Sequence, residues 1–120
     1  MSKYFSPSEF RACSPSCRIE QMNPAFLDTL DRIREAAGIP MVLTCAFRSK
    51  QWDISKGRTG NSAHTRGLAV DVRCSSNANR YKIIRAAIAC GITRIGIGKN
   101  FIHIDADPSL THERIWHYYD

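Results

Sequence analysis

Arg94-Ile95-Gly96-Ile97-Gly98-Lys99-Asn100-Phe101-Ile102-His103-Ile104-Asp105 decides the fold. Two short apolar runs, Arg94 to Ile97 and Phe101 to Asp105, flank the tight polar connection Gly98-Lys99-Asn100. That pattern predicts a β-hairpin and, with it, an antiparallel element in the sheet. In the second run Ile102 and Ile104 alternate with His103 and Asp105, which sends the two pairs to opposite faces. Two ionisable groups on one face of an otherwise apolar strand are costly unless they work together.

Working outward, Leu68 to Arg73 also alternates in polarity as a strand does. Ile39 to Ala46 is short, apolar and β-branched, and predicts a buried strand. Three helices are expected. Ser6-Pro7-Ser8-Glu9 is a helix start, with Ser6 capping, Pro7 at the first position and Glu9 completing a capping box. Asn23-Pro24 opens the second, where Phe26, Leu27, Leu30, Ile33 and Ala37 keep helical spacing until Gly38. Ser76 or Asn77 caps the third, Ala78 to Cys90, closed by Gly91. Phe47 to Asn61 is expected to be a polar loop. The tail from Pro108 to Asp120, with Trp116, Tyr118 and Tyr119, is expected to pack as a lid or edge. The order of elements predicts a single α+β domain, with a small, largely antiparallel sheet flanked by about three helices.

The chain has 120 residues, one domain's worth, and its 43% hydrophobic content suffices for one modest core. No apolar run approaches the roughly 18 residues of a membrane span, and Met1-Ser2-Lys3-Tyr4-Phe5-Ser6 lacks the apolar stretch of a signal peptide. Synthesis in the cytoplasm is the expectation. The net charge is +6, which favours polyanions such as an anionic bacterial wall. The Lys and Arg residues are scattered and no RNA-binding signature is present, so nucleic acid is not favoured as a partner. The five cysteines, Cys13, Cys17, Cys45, Cys74 and Cys90, are expected to be free thiols. Cys45 and Cys90 fall in apolar segments as small buried hydrophobes, and the Cys13–Cys17 pair alone is a weak zinc signal.

The chemistry concentrates in Ser62-Ala63-His64-Thr65-Arg66-Gly67-Leu68-Ala69-Val70-Asp71 and in Phe101 to Asp105. His64, Asp71 and His103 provide two imidazoles and a carboxylate, the ligand set of a catalytic zinc with one position left for water. The spacing of His64 and Asp71 suits a loop ligand followed by a strand ligand, with Gly67 turning the chain between them. Plainer readings are an Asp71 pair with Arg66 or Arg73, and a structural His103–Asp105 hydrogen bond. His112 and His117 read as surface histidines.

These segments, together with Tyr4-Phe5-Ser6-Pro7-Ser8-Glu9-Phe10, Thr44-Cys45-Ala46-Phe47-Arg48-Ser49 and Gly96-Ile97-Gly98, resemble the M15 group of zinc peptidases over nearly the whole chain. That group includes D-alanyl-D-alanine carboxypeptidases, L,D-endopeptidases and phage endolysins that cut peptidoglycan peptides. The resemblance implies zinc on His64, Asp71 and His103, and a substrate-facing arginine at Arg48, which can bind a carboxylate or an oxyanion. Ser62 either hydrogen-bonds substrate or caps its local turn. One position departs from the pattern. Many members place an acidic general base three residues before the last histidine, where this chain has Asn100. The base is therefore assigned to Asp105, with Asp107 a poorer candidate and Glu113 of the tail after it. Alternatively Asp105 is a fourth metal ligand. The implied protein is a monomeric, non-membrane zinc peptidase on murein peptides, acting on the wall after release or as a virion component. The alternative is a non-catalytic wall-binding or virion structural module.

Overall fold

The computed structural model describes residues 2–118. Five strands form one sheet: β1 (Leu43–Cys45), β2 (Ala69–Arg73), β3 (Arg94–Ile97), β4 (Phe101–Asp105) and β5 (Arg114–His117), in the order β1-β2-β4-β3-β5. Every neighbouring pair is antiparallel except β3 and β5, which run parallel. The helices are α1 (Pro7–Arg11), α2 (Pro24–Ala37), α3 (Lys50–Ser55) and α4 (Asn77–Ala89). The architecture is α+β, as expected.

Local chemistry sets the helix limits. The Ser6 amide donates to Glu9 Oε2 at 2.7 Å at the start of α1. Asn23 Oδ1 accepts from the Phe26 amide at 3.0 Å, and Gly38, at φ 70°, ends α2 in the left-handed region. Ser76 Oγ accepts from the Asn79 amide at the head of α4. Leu30 and Ile33 of α2 and Ile83, Ala86 and Ala87 of α4 are buried against Val70, Val72, Ile95, Ile102 and Ile104 of the sheet.

Three expectations change. The segment 47–61 is not all loop: α3 forms within it, capped by Ser49 Oγ on the Trp52 amide at 3.0 Å. It lacks an apolar stripe, so periodicity could not show it. The strand expected over Ile39 to Ala46 shrinks to Leu43–Cys45, because Pro40 offers no amide to a ladder and β1 is an edge strand. The tail does form an edge, as β5, and Trp116 and Tyr118 fold towards the polar face of the sheet. Tyr119 and Asp120 lie outside the described residues.

Candidate metal centre

Register builds the site. Cys45 of β1 pairs with Asp71 of β2, Asp71 with His103 of β4, His103 with Gly96 of β3, and Gly96 with Trp116 of β5. One row thus crosses the whole sheet on the face away from α2 and α4. His64 joins the row from a 3-10 turn over Ala63–Arg66. Gly67 closes that turn at φ 69°, where an added Cβ would lie 2.5 Å from Gln21 O. Its own carbonyl accepts from the Asn23 amide at 3.0 Å, which docks the turn on the start of α2.

Both histidines are held from behind. His64 Nδ1 is 2.6 Å from Ala46 O, leaving Nε2 directed at Asp71 Oδ1, 3.5 Å away. His103 Nε2 is 2.7 Å from Asp105 Oδ2, leaving Nδ1 directed at the same Asp71 oxygen, 3.0 Å away. The rings stand edge-on with centroids 5.1 Å apart. An imidazole whose far nitrogen is fixed by a carbonyl or a carboxylate has its tautomer and orientation set for a metal. Burial disfavours the Asp71 carboxylate, but hydrogen bonds and charge from His103 and His64 outweigh it and hold Asp71 well below the usual carboxylate range. Burial likewise works against protonated His103, yet its bonds to Asp105 and Asp71 raise its pKa. Two imidazoles converging on one half-buried carboxylate fit a zinc ion, which would take the place of the proton that His103 shares with Asp71.

Asp105 does not have the freedom expected of a base. It is 1% exposed. Its Oδ2 is committed to His103, and its Oδ1 accepts from Arg94 Nε at 2.7 Å and from the Asp107 amide at 3.2 Å. Burial raises its pKa, but His103 and Arg94 hold it below the ordinary range. A carboxylate so engaged is a poor proton acceptor near neutral pH. The reserve candidates lie elsewhere. Asp107 is buried against both Arg66 and Ser109, with Arg66 Nε and a terminal guanidinium nitrogen each 2.6 Å from Oδ2. Glu113 is exposed and lines a different hollow beside Ile88 and Ile115. Asn100 also lies outside the site, lining another hollow with Thr44, Arg73 and Ser75.

The centre opens into a cleft of about 430 Å³. Arg48, Arg58 and Ser62 line one side, and Leu110, Trp116 and Tyr118 the other. The Arg48 side chain is 12% exposed, with Nε 3.5 Å from Asp53 Oδ1. Asp53, on α3 and 1% exposed, is the carboxylate facing that guanidinium, a contact that sequence reasoning missed. Ser62 Oγ is buried and has no hydrogen-bond partner among the described residues. In the local turn Thr65 Oγ1 accepts from the Ser62 amide at 3.2 Å, and the Ser62 carbonyl accepts from the Thr65 amide at 3.1 Å. Gly96 was missed as well. A Cβ there would lie 2.7 Å from Trp116 Nε1, so its bare backbone is what admits the indole to within 5.5 Å of the His103 ring, centre to centre. His112 is exposed and meets Thr93 Oγ1 at 2.6 Å, and His117 is exposed. All five cysteines are free. Among the described residues no helix is long and apolar enough to cross a membrane.

A cleft floored by two anchored histidines and a carboxylate, with arginines on its wall, offers donors for a metal beside room for a ligand. The family model described as Peptidase M15 matches residues 3–105, and the chain belongs to that family. The fold is similar to the crystal structure of Serratia marcescens L-Ala D-Glu endopeptidase ChiX, with a TM-score of 0.56 and 18% identity over 89% of this chain and 90% of that one. The sequence matches no curated protein.

Proposed function

We propose that the protein is a zinc-dependent peptidase that hydrolyses peptide bonds of bacterial peptidoglycan, in the setting of phage or prophage lysis. The observation that carries the reading is the convergence of His64 Nε2 and His103 Nδ1 on Asp71 Oδ1. Family membership and a fold shared with an L-Ala D-Glu endopeptidase support the substrate class. His64, Asp71 and His103 would hold the zinc. When bound, zinc supplies a Lewis acid that polarises a carbonyl and acidifies water.

The protein's own groups do the rest. Asp105 keeps His103 Nδ1 facing the centre, so we assign it to orientation rather than to proton transfer. Arg48, aimed by Asp53, stabilises the oxyanion or binds a substrate carboxylate. Ser62 Oγ donates to the peptide. The net charge of +6 suits approach to an anionic wall. Release from the cytoplasm through a pore, or carriage in a virion, would bring a monomer to its substrate.

A second reading has its own support. Asp71 and Asp105 are the carboxylates among the residues lining the cleft, and both are engaged. A centre without a free acceptor suits a wall-binding or virion module. Mass spectrometry of purified peptidoglycan, incubated with the zinc-loaded protein, separates the two. New peptide termini identify a peptidase and the bond it cuts. Stoichiometric zinc with intact peptides establishes the binding module.

A further inference from the structure

Cys45 carries the inference. Leu43 pairs with Val72 and Cys45 with Asp71, two steps along β1 against one along β2. This is a β-bulge, and bulges re-aim side chains. In a regular ladder Cys45 would oppose Val70, which is 0% exposed on the helix side of the sheet. The bulge instead sets Cys45 in the row of Asp71 and His103. Its Sγ is 3.7 Å from His64 Nδ1, the nitrogen bound to Ala46 O, so it lies beside the same ring whose Nε2 is directed at Asp71. The donor atoms of Cys45, His64 and Asp71 all lie within 4.8 Å of one another. Asp71 is therefore flanked by Cys45 on one side and by His103 on the other.

We propose that Cys45 is a fourth, soft donor to the metal held by His64, Asp71 and His103, so that the protein's own thiol can close the coordination shell. The proposal rests on the zinc reading above. Sulfur, imidazole and carboxylate are all zinc donors. Three protein ligands leave a catalytic position open, whereas four close the site. As the sulfur coordinates, the thiol proton passes to solvent. When water or substrate displaces the sulfur, a proton returns to it, so no oxidant or reductant is involved. With sulfur bound, the centre favours thiophilic ions over those preferring oxygen and nitrogen.

Cobalt(II) reports the ligand directly, because cobalt–thiolate bonds add an intense near-ultraviolet charge-transfer absorption to the visible bands. The full chain loaded with Co²⁺ is expected to show both. Cys45→Ser and Cys45→Ala should keep the visible bands and lose the charge-transfer band. A variant carrying Cys13→Ser and Cys17→Ser should keep both, which excludes the other nearby thiols as its source. Competition should show the preference for Cd²⁺ over Zn²⁺ falling in both Cys45 variants. Visible bands without charge transfer in the parent protein would overturn the proposal, as would charge transfer surviving in both Cys45 variants. If the parent protein takes up no Co²⁺ and no Zn²⁺, the zinc reading itself fails, and the fourth ligand with it.

Discussion

The two faces of β2 and β4 are made by the same two strands and obey different rules. Towards the helices, Val70, Val72, Ile102 and Ile104 are each 0% exposed and make no polar demands. Towards the cleft, Asp71, His103 and Asp105 are bound to one another and to Arg94 by named atoms. The apolar face needs hydrophobic volume, which related side chains can supply. The polar face needs particular donors at particular positions. Stability and chemistry are therefore separated by a single step along the strand.

Neighbours on β4 test that separation most severely. His103→Ala should bring zinc below one equivalent and abolish cleavage while leaving a folded protein, because His64 and Asp71, even with Cys45 beside them, lack the second imidazole. Ile104→Ala should do the reverse, losing about 2–5 kcal/mol of stability and keeping its zinc. Elemental analysis and thermal unfolding of both variants give the answer. Full zinc in His103→Ala, or zinc lost from folded Ile104→Ala, breaks the comparison.

The next effect sharpens it. Asp105→Asn is nearly isosteric, but an amide cannot hold His103 Nε2 as the carboxylate does, and it also loses the charge facing Arg94. Metal affinity should fall by roughly 10–100-fold, the usual effect of removing the partner behind a ligating histidine. Competition with a chelator measures it. Unchanged zinc affinity with a fall in turnover of about 10²–10⁴ would return Asp105 to the role of base.

How much of this could be seen in the sequence follows the same division. The strands β2 and β4 and the helix α2 were visible because alternation, helical spacing and the Asn23-Pro24 start are local patterns. His64, Asp71 and His103 were visible for the same reason, lying in two short segments. What depends on pairing was hidden. The salt bridge of Arg94 to Asp105 follows from their opposition across β3 and β4. Cys45 passed as a small hydrophobe because the bulge that turns it towards Asp71 leaves no mark in one strand read alone. The parallel course of β5 beside β3 depends on a chain that wraps back over residues 106–113.

Gly96 offers a smaller break. It is the one position in the row without a side chain, and Trp116 occupies the space. Gly96→Ala should displace Trp116 and Tyr118, at a cost of about 1–3 kcal/mol as for other overpacked sites. Tryptophan fluorescence should shift, while the zinc content stays near that of the parent protein. Unaltered fluorescence and stability would show that the aromatic side of the cleft is not held by the sheet register.

The smallest effect contrasts Asp105 with its neighbour Asp107. Both carboxylates are buried and both face an arginine, but Asp107 ties the tail to Arg66 and Ser109, away from the cleft. Burial pushes its pKa up, and the bonds from Ser109 and Arg66 bring it below the usual 3.8. A carboxyl depressed in the folded state adds stability that is fully present above its unfolded pKa and is lost as pH falls through the folded one. The stability gap between the parent protein and Asp107→Asn should thus be constant above about pH 4–5 and narrow steadily below it. Its size should be only about 1 kcal/mol, because the Arg66 side chain is 31% exposed and solvent screens the pair. Denaturant unfolding of both proteins across that range measures it. Zinc content should not differ between them at neutral pH, since no Asp107 atom bonds a ligand. A gap that widens on acidification would mean that Asp107 is held protonated in the fold, and that its bonds to Arg66 are not those of an ion pair.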